Sequence, residues 1–416
     1  MNALVFGAGK SGAAAAELLR RVGGRAAARP SREEGVGGRA AARPFREEGV
    51  VVRVLDGDDA YPDGAWDLAV TSPGVPLDHP WQVAARAAGV PVISELELGA
   101  RHFAGKMLAV TGSKGKSSVV KLVADGLNAA GVTAVACGNY GTPLCAVALM
   151  EPQPAWAVVE VSSFQMETTH PAHFRPVAAA ILNLQEDHLD RHGSVEAYHA
   201  LKRKMLEGAA RAVAAARAWD DCLAGSYFDN DVLRPNGEVA AALMDAAGLP
   251  REAIARAFAN FVPLAHRMQK VAEIKGVSYV DDSKATSLAA LAAGVRMAQG
   301  GRPEPSVRLI AGGIAKGDSP NSVIPDLRSG VKKVYLIGRC ADQLFEAWRE
   351  TVPCEVCGTL DRAVERSRRD ACAGEVVLLS PGTASFDQFQ SYGARGDAFV
   401  SFVCAEGRCG EAESKK

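Results

Sequence analysis

The chain has 416 residues, of which 48% are hydrophobic and 23% are charged, and its formal net charge at pH 7 is −1. This near-balance of charge argues against a nucleic-acid-binding protein, and the sequence lacks an apolar run of membrane-spanning length and the pattern of a signal peptide. Its nine scattered cysteines are typical of reduced thiols. We therefore expect a cytoplasmic monomer of about three domains that binds neither nucleic acid nor membranes.

The first domain, residues 1–94, is predicted to be Rossmann-like. Residues 3–19 contain a buried strand, a Gly-x-Gly-x-x-Gly turn at 7–12 and an Ala-rich helix, an arrangement that places a phosphate group at a helix N-terminus. Another strand, 67–70, leads into Ser-Pro-Gly at 72–74, at the sheet edge where open α/β sheets bind ligands. By itself this pattern also fits a nicotinamide-dependent dehydrogenase.

A tandem duplication interrupts this domain. Residues 22–35 recur as residues 36–49 with a single difference. One copy is expected to supply the second strand and its turn, and the other to form a surface insertion. Arg29 or Arg43 stands where a dinucleotide-binding domain carries the acidic residue that binds a ribose, which weakens the dehydrogenase interpretation.

The second domain, residues 95–263, begins with a phosphate loop. A short strand leads into Thr-Gly-Ser-Lys-Gly-Lys-Ser at 111–117, and a helix follows. Glycines let backbone N–H groups turn toward an anion, so that Lys116 would reach the β/γ-phosphates of a nucleotide and Ser117 would face Mg²⁺. The pattern predicts a nucleoside-triphosphate site, although its strict form has glycine in place of Val110.

Further polar residues of this domain follow predicted strands. Glu160 is the one charge in the apolar strand 155–161, and Mg²⁺ is the natural partner of such a carboxylate beside a phosphate loop, with a salt bridge as the alternative. The polar segment 185–192 follows the next strand and includes His188, which can bind a metal ion. Lys202 lies in the helix after it, where the pattern alone predicts a solvated side chain.

The third domain, residues 264–416, is predicted to contain another parallel sheet. Its strands are expected to alternate with helices, at 277–280, 308–311, 333–337 and 375–379. Before this domain, the Ala-rich stretch 209–247 has few strand signals, and a loop is expected at 229–237. The predicted fold class is α/β, with a Rossmann-like first domain, a phosphate-loop central domain on a parallel sheet and a Rossmann-like third domain.

Together the motifs resemble those of the ATP-dependent Mur ligases of peptidoglycan synthesis. The resemblance covers nearly the whole chain, through the segments GAGKSG (7–12), SPGVPLDHP (72–80), TGSKGKSS (111–118), GNYGTP (138–143), EVSSFQMETT (160–169), NLQEDHLDRHGS (183–194), HR (266–267), DDSKATS (281–287), GGIAKG (312–317) and SPGTASFDQF (380–389). Ser-Ser-Phe-Gln, Asp-Ser-Lys-Ala-Thr and Ser-Phe-Asp-Gln-Phe are most similar to the family member that adds D-glutamate.

The resemblance implies a ligase that joins D-glutamate to UDP-N-acetylmuramoyl-L-alanine. ATP would phosphorylate the substrate carboxylate, and the amine of D-glutamate would displace phosphate from the acyl phosphate, with two Mg²⁺ ions as cofactors. The implied catalytic residues are Lys116, Glu160, His188 and Lys202. The implied metal ligands are Ser117, Glu160, His188 and, if carbamylated, Lys202.

The resemblance also assigns residues to each substrate. For ATP they are Gly112, Ser113, Lys114, Gly115, Lys116, Ser117, Ser118, Arg267 and Asp282. For the UDP substrate they are Gly9, Lys10, Ser11, Ser72, Pro73, Gly74, Asn139 and His188. For D-glutamate they are Lys284, Thr286, Lys316, Ser385, Phe386 and Tyr392.

The chain departs from the family pattern in its central domain. The family's His-Asn-x-x-Asn motif, used for adenine, is represented by a segment with one asparagine, Asn236, and the stretch between Lys204 and Asp245 is shorter than in the family. In the third domain, Tyr392 stands where phenylalanine is usual. These departures leave a non-catalytic relative that binds a UDP-sugar or a nucleotide as the alternative to an active ligase.

Overall fold

The computed structural model describes residues 1–27 and 50–405. These residues divide into two compact units, with the first running to Phe261 and the second beginning at Val262, except that Asn230–Val232 group with the second. The domain boundaries predicted at residues 94 and 263 stay predictions. Within the described ranges, no helix is long and apolar enough to cross a membrane, and seven cysteines are free.

The first sheet of the first unit has four parallel strands in the order β2-β1-β3-β4. Its strands are β1 (Asn2–Phe6), β2 (Val51–Leu55), β3 (Leu68–Thr71) and β4 (Val92–Ser94). The helices of this part are α1 (Lys10–Ala27), α2 (Pro80–Ala87) and α3 (Glu95–His102). β1 is buried along almost its whole length because it is a central strand covered on both faces.

The tandem duplication does not supply the strand that was expected from it. The second strand of the domain is β2, which pairs with β1 and follows both copies in the sequence. The first residues of the duplication, 22–27, belong to α1. The rest of the duplication, with Arg29 and Arg43, lies outside the described residues.

The second sheet of the first unit has five parallel strands in the order β6-β7-β5-β8-β9. Its strands are β5 (Lys106–Thr111), β6 (Ala134–Gly138), β7 (Trp156–Glu160), β8 (Ala178–Ile181) and β9 (Ala212–Val213). Its helices are α4 (Lys116–Ala129), α5 (Leu144–Ala148), α6 (Ser163–Met166), α7 (Leu189–His192), α8 (Val195–Glu207), α9 (Asp220–Leu223), α10 (Arg234–Ala246) and α11 (Arg251–Ala259), with a 3₁₀ turn at Arg217–Trp219. The strands predicted around the phosphate loop are confirmed.

β5 carries the phosphate loop and lies at the centre of this sheet. Leu108 and Val110 pack into the core on one face, together with α4, α10 and α11. Met107 and Ala109 pack into the core on the other face, as the alternation of side chains along a strand requires. Both faces are therefore covered, and the loop after β5 projects from a rigid strand.

The loop predicted at 229–237 is wrong in its second half, because α10 begins at Arg234. Val239, Leu243 and Met244 lie at helical spacing and are buried against α4. Gly237, at the end of the predicted loop, lies inside this helix. Glycine is needed there because a Cβ would come within 2.7 Å of the Leu223 side chain. Close packing, and not a turn, therefore accounts for this glycine.

The second unit contains a six-stranded sheet in the order β10-β11-β15-β12-β13-β14. Its strands are β10 (Gln269–Ile274), β11 (Val277–Asp281), β12 (Val307–Gly312), β13 (Val331–Ile337), β14 (Cys354–Gly358) and β15 (Val376–Leu379). Its helices are α12 (Leu288–Gln299), α13 (Ile324–Gly330), α14 (Ala341–Trp348), α15 (Leu360–Asp370) and α16 (Tyr392–Cys404), with a 3₁₀ turn at Pro320–Val323.

The prediction of a purely parallel third sheet is wrong at one edge. β10 pairs with β11 in antiparallel orientation, whereas the other strands of this sheet are parallel. The connection is the two-residue turn Lys275-Gly276, in which both residues have positive φ (51° and 74°). Such turns match the twist of a hairpin and favour glycine. The Lys-Gly pair was the sequence signal for this hairpin.

Candidate active site

The loop between β5 and α4 has the backbone geometry of a phosphate cradle. Gly112 (φ 148°) and Gly115 (φ 87°) adopt conformations that favour glycine, and Gly115 is the N-cap of α4. α4 directs the positive end of its dipole at this loop. Lys116 Nζ donates to the carbonyl oxygens of Gly112 (2.7 Å) and Ser113 (3.2 Å), so its side chain folds over the loop. Ser117 and Ser118 follow it in the first turn of α4.

The segment after β8 holds the phosphate loop in place. Asn183 Oδ1 accepts hydrogen bonds from the backbone N–H groups of Ser113 (3.1 Å) and Lys114 (2.9 Å). Ser113 Oγ donates to the Gln185 carbonyl oxygen (3.0 Å) and lies 3.2 Å from the Tyr198 hydroxyl. Hydrogen bonds with Asn183, Gln185 and Tyr198 therefore hold the backbone and one side chain of the loop. The polar segment predicted at 185–192 is therefore part of this site.

Glu160 ends β7 beside this loop and is only 3% exposed. Its Oε1 accepts a hydrogen bond from Asn139 Nδ2 at 2.7 Å. Its Oε2 is buried and has no hydrogen-bond partner in the part of the chain that the structure describes, and no salt bridge to Glu160 occurs there. A buried carboxylate oxygen without a partner is costly. This oxygen is therefore suited to a cation that arrives with the substrates.

The sequence pattern predicted that Lys202 is solvated, and this is wrong. Lys202 is 2% exposed, and its Nζ donates to the Gly112 carbonyl oxygen at 3.0 Å. The ammonium group lies 4.4 Å from the ring centre of Tyr198, which is one helical turn earlier in α8. Burial, followed by the positive charge of Lys116, lowers the pKa of Lys202 to about 7. Near neutral pH a large fraction of this amine is uncharged, which is the form that carbon dioxide can carbamylate.

His188 lies at the N-cap of α7 with a left-handed backbone (φ 53°). Its imidazole is half exposed, and its ring centre lies 4.9 Å from that of Phe164. Among the described residues, no group of three or more His, Cys, Asp and Glu side chains could hold a metal ion. Mg²⁺ usually keeps several waters and binds through one or two carboxylates together with phosphates. The described residues therefore fit a Mg²⁺ ion that is held by the Glu160 carboxylate together with phosphate oxygens and water, and not one held by protein side chains alone.

The two loops predicted to bind the UDP substrate lie together at the carboxyl edge of the N-terminal sheet. Ser72 Oγ donates to the Gly7 carbonyl oxygen at 3.4 Å, and Ser72 N donates to the Phe6 carbonyl oxygen at 3.0 Å. A Cβ on Gly12 would lie 1.7 Å from the Gly7 oxygen, so only glycine fits there. Lys10 and Ser11 form the start of α1, directly after Gly9, and Pro73 and Gly74 follow Ser72.

In the second unit, Asp282, which was predicted to bind ATP, is buried, with 8% of its surface exposed. Its Oδ2 accepts a hydrogen bond from Ser380 Oγ (2.9 Å), and its Oδ1 accepts one from Met268 N (3.3 Å). Burial raises the pKa of Asp282 to about 7, while the nearby charge of Arg267 acts in the opposite direction. Its neighbour Asp281 accepts a hydrogen bond from His266 Nδ1 at 2.7 Å when that nitrogen is protonated.

Four of the six residues predicted to bind D-glutamate form two pairs in this unit. Lys284 Nζ lies 3.8 Å from the ring centre of Tyr392, and Lys316 Nζ lies 3.5 Å from Thr286 Oγ1. Ser385 is buried. Phe386, in contrast, is 71% exposed.

Comparison with known proteins identifies the family. Residues 110–232 match the Mur ligase middle domain, and residues 266–382 match the domain described as Mur ligase, glutamate ligase domain. The UDP-N-acetylmuramoylalanine–D-glutamate ligase of Koribacter versatilis is 36% identical over 447 residues, covering 96% of this chain and 96% of that protein. A protein of the same name from Nitratidesulfovibrio vulgaris is 36% identical over 424 residues, covering 96% and 95% of the two chains. The chain belongs to the Mur ligase family.

A solved structure of a Mur ligase shows the same fold. The crystal structure of MurF ligase from Thermotoga maritima in complex with ADP aligns with a TM-score of 0.56 at 13% identity, covering 82% of this chain and 89% of that chain. The likeness confirms the predicted α/β class. Membership of the Mur ligase family also removes the dehydrogenase interpretation of the first glycine-rich turn.

Asn236, in the segment that the resemblance aligned with the family's adenine motif, lies against the phosphate loop. Asn236 is nine-tenths buried in α10, and a Cβ on Gly115 would come within 2.4 Å of its Nδ2. The stretch that was predicted to be shortened therefore brings an amide side chain to the start of α4. α10 and α11 both pack on α4, so the core of this part of the family fold is closed.

Sequence reasoning missed Arg395, a functional candidate on the inner face of α16. Its side chain is 1% exposed and donates to Ser283 Oγ (3.0 Å) and to the carbonyl oxygens of Ser283 (3.0 Å) and Thr383 (3.2 Å). These bonds join the two loops that carry Lys284 and Ser385. An arginine at helical spacing with Phe399 and Val403 was the available signal, because a charge on a buried stripe needs partners.

Proposed function

We propose that this Mur ligase family protein is an ATP-dependent ligase that adds D-glutamate to UDP-N-acetylmuramoyl-L-alanine in peptidoglycan precursor synthesis. The relatives that carry this activity in their names match the chain almost from end to end. The observation that carries the proposal is the phosphate loop, where Lys116 and the buried Lys202 both bind the Gly112 carbonyl. We further propose that the protein acts as a cytoplasmic monomer.

The phosphate loop would bind and orient ATP through groups of this chain. Lys116 would leave the carbonyl oxygens of Gly112 and Ser113 for the stronger acceptors of the β- and γ-phosphates. The N-terminus of α4 would stabilise the negative charge of the phosphates. Both effects act on the charge that develops during phosphoryl transfer to the substrate carboxylate.

Two Mg²⁺ ions are proposed as cofactors that neutralise phosphate charge. Glu160, with its unpaired Oε2, and Ser117 would hold one of them. His188 and a carbamylated Lys202 would hold the other, and carbamylation would convert a buried cation into an oxygen ligand. The lowered pKa of Lys202 supports this modification, because the neutral amine is the reactive form.

The second unit would bind D-glutamate. Lys284 and Lys316 would pair with its two carboxylates, and Thr286 and Ser385 would donate hydrogen bonds. The amine of D-glutamate would then attack the acyl carbon of the acyl phosphate. A new C–N bond forms, the C–O bond to phosphate breaks, the amine gives up a proton, and inorganic phosphate leaves.

Mass spectrometry of the product tests this function. UDP-N-acetylmuramoyl-L-alanine, ATP and Mg²⁺ are incubated with D-glutamate, L-glutamate or L-alanine, and the mass added to the UDP substrate is measured. Addition of one glutamate residue in the reaction with D-glutamate, and no addition in the reactions with L-glutamate and L-alanine, supports the proposal. Binding of the UDP substrate without any product would favour the alternative, a non-catalytic relative, for which the shortened central stretch is the supporting feature.

A further inference from the structure

Arg191 of α7 forms a two-pronged ion pair with Glu167. Its Nε donates to Glu167 Oε1 at 3.0 Å, and its Nη2 donates to Oε2 at 2.5 Å. Both side chains are largely buried, with 16% and 5% of their surfaces exposed. The guanidinium carbon also lies 4.8 Å from the ring centre of Phe164. The planar fork of arginine is therefore fixed on three sides by the central part of the first unit.

The same guanidinium reaches the loop that follows β3. Nη2 lies 3.3 Å from the Val75 carbonyl oxygen and 3.5 Å from the Pro73 carbonyl oxygen. Nη2 carries two hydrogens, so one can serve Glu167 while the two carbonyls share the other. Arg191 therefore bonds both to Glu167, which follows α6, and to the Ser-Pro-Gly loop, which follows β3.

Both ends of this connection lead to residues that are expected to bind ligands. Ser72, beside Pro73, donates to the Gly7 carbonyl oxygen of the first glycine-rich turn. On the other side, the Phe164 ring that Arg191 covers also contacts His188 at 4.9 Å between ring centres. Arg191 therefore connects α7, the helix that His188 caps, with one of the proposed UDP-substrate loops.

We propose that Arg191 is a positioning residue that holds the Ser-Pro-Gly loop in place for the UDP substrate. The proposal rests on the proposed function, which makes this loop a UDP-substrate contact. Arg191 fixes the orientation of two peptide groups in the loop, and so the direction of its neighbouring N–H groups and side chains. The phosphate loop is held by Asn183 and Gln185 instead. Arg191 therefore sets the affinity for the UDP substrate and leaves the affinity for ATP unchanged.

Lysine is the informative replacement at this position. An ammonium group can pair with one oxygen of Glu167, but it is a point charge and cannot span the carboxylate and the two carbonyls together. Arg191→Lys thus keeps the charge and the packing of the aliphatic stem while it removes the contact with the loop.

Arg21 offers a matched control within the same unit. Its Nη1 donates to the Leu149 carbonyl oxygen at 3.3 Å, and its Nη2 pairs with the Glu151 carboxylate. Like Arg191, it joins an element of the N-terminal part to an element of the central part by a carboxylate and a carbonyl. It lies eleven residues into α1, about 16 Å along the helix from the glycine-rich turn. Arg21→Lys should therefore leave the binding of both ligands unchanged.

The test is isothermal titration calorimetry of UDP-N-acetylmuramoyl-L-alanine and of a non-hydrolysable ATP analogue with Mg²⁺, using the full chain. For Arg191→Lys we expect the Kd of the UDP substrate to rise about tenfold, as for one charged hydrogen bond, and the Kd of the analogue to stay within about twofold. Glu167→Gln, which keeps the shape but loosens the guanidinium, is a second variant and should weaken UDP-substrate binding in the same selective way.

The outcomes separate this proposal from the proposed function. If Arg191→Lys and Glu167→Gln both bind the UDP substrate with wild-type affinity, the positioning role of Arg191 is overturned. The proposed function is not affected by that result. An equal loss of affinity for the UDP substrate and for the ATP analogue would also overturn the positioning role, because a general loss of structure gives that result. If the wild-type protein itself does not bind the UDP substrate, the proposed function fails, and the role of Arg191 fails with it.

Discussion

The side-chain amide of Asn139 donates a 2.7 Å hydrogen bond to Glu160 Oε1, and Glu160 Oε2 is left buried with no partner among the described residues. The end of β6 thus orients the carboxylate at the end of β7, because the two strands are neighbours in the sheet. One oxygen is fixed by the protein, and the other is available to a cation. This asymmetry is the strongest local argument for Mg²⁺ at the site.

Glu160→Gln should reduce the rate of phosphate release by about 100-fold or more, because the neutral amide cannot neutralise a metal ion beside the phosphates. The free energy of unfolding without ligands should stay the same or increase, since a poorly solvated charge is removed. Steady-state kinetics and chemical denaturation measure the two effects. A large loss of stability together with the loss of rate would show that Glu160 serves the fold instead.

Lys116→Ala should lower turnover by at least about 1,000-fold and leave the affinity for the UDP substrate unchanged. The reason is that Lys116 donates to the Gly112 and Ser113 carbonyl oxygens of the phosphate loop, whereas the glycine-rich turn and the Ser-Pro-Gly loop belong to another sheet. Lys121→Ala, on the same helix but paired with Asp125, is the control and should retain activity. Loss of UDP-substrate binding in Lys116→Ala would contradict the predicted division of the sites.

The burial of Lys202 predicts a pH dependence of stability. Its pKa falls from 10.5 to about 7 in the folded state, so between these values the unfolded chain binds more protons than the folded chain. The cost in folding stability of burying the Lys202 charge is therefore complete below pH 7. As the pH rises from 7 toward 10.5, the free energy of unfolding increases, with a slope of at most about 1.4 kcal/mol per pH unit.

Chemical denaturation of the wild type and of Lys202→Met in bicarbonate-free buffer measures this slope. The difference in the free energy of unfolding between the two proteins should shift in favour of the wild type as the pH increases from 7 to 9. A difference that does not change with pH would contradict a neutral Lys202.

Gly12→Ala should be destabilising, although alanine normally stabilises a helix by about 1 kcal/mol relative to glycine. The added Cβ would lie 1.7 Å from the Gly7 carbonyl oxygen, so the backbone of the turn would have to move. Gly9→Ala is the matched control, because nothing lies within 4 Å of its added Cβ. Thermal unfolding should separate the two, and equal melting temperatures would contradict the close packing of α1 on the turn.

The local parts of the site could be predicted from sequence, and the long-range parts could not. The phosphate loop follows from a strand, glycines and a helix that are contiguous in the chain. The burial of Lys202 depends on Gly112, which is 90 residues away. Helical spacing places Lys202 one turn after Tyr198, at the flank of the buried face, but it does not show that the lysine itself is buried.

The second unit gives the same lesson. Arg395 is buried because it bonds to Ser283, which is 112 residues away in the chain. The antiparallel edge strand β10 was missed for a different reason. Its turn signal, Lys275-Gly276, is short, and a predicted series of parallel strands concealed it.

The most direct measurement of the central claim is ADP release from ATP with UDP-N-acetylmuramoyl-L-alanine and D-glutamate, supplied singly and together. The account predicts sustained release when both are present, with one ADP formed for each amide bond. Sustained release without either substrate, or none with both despite measurable binding of the UDP substrate, would contradict an active ligase.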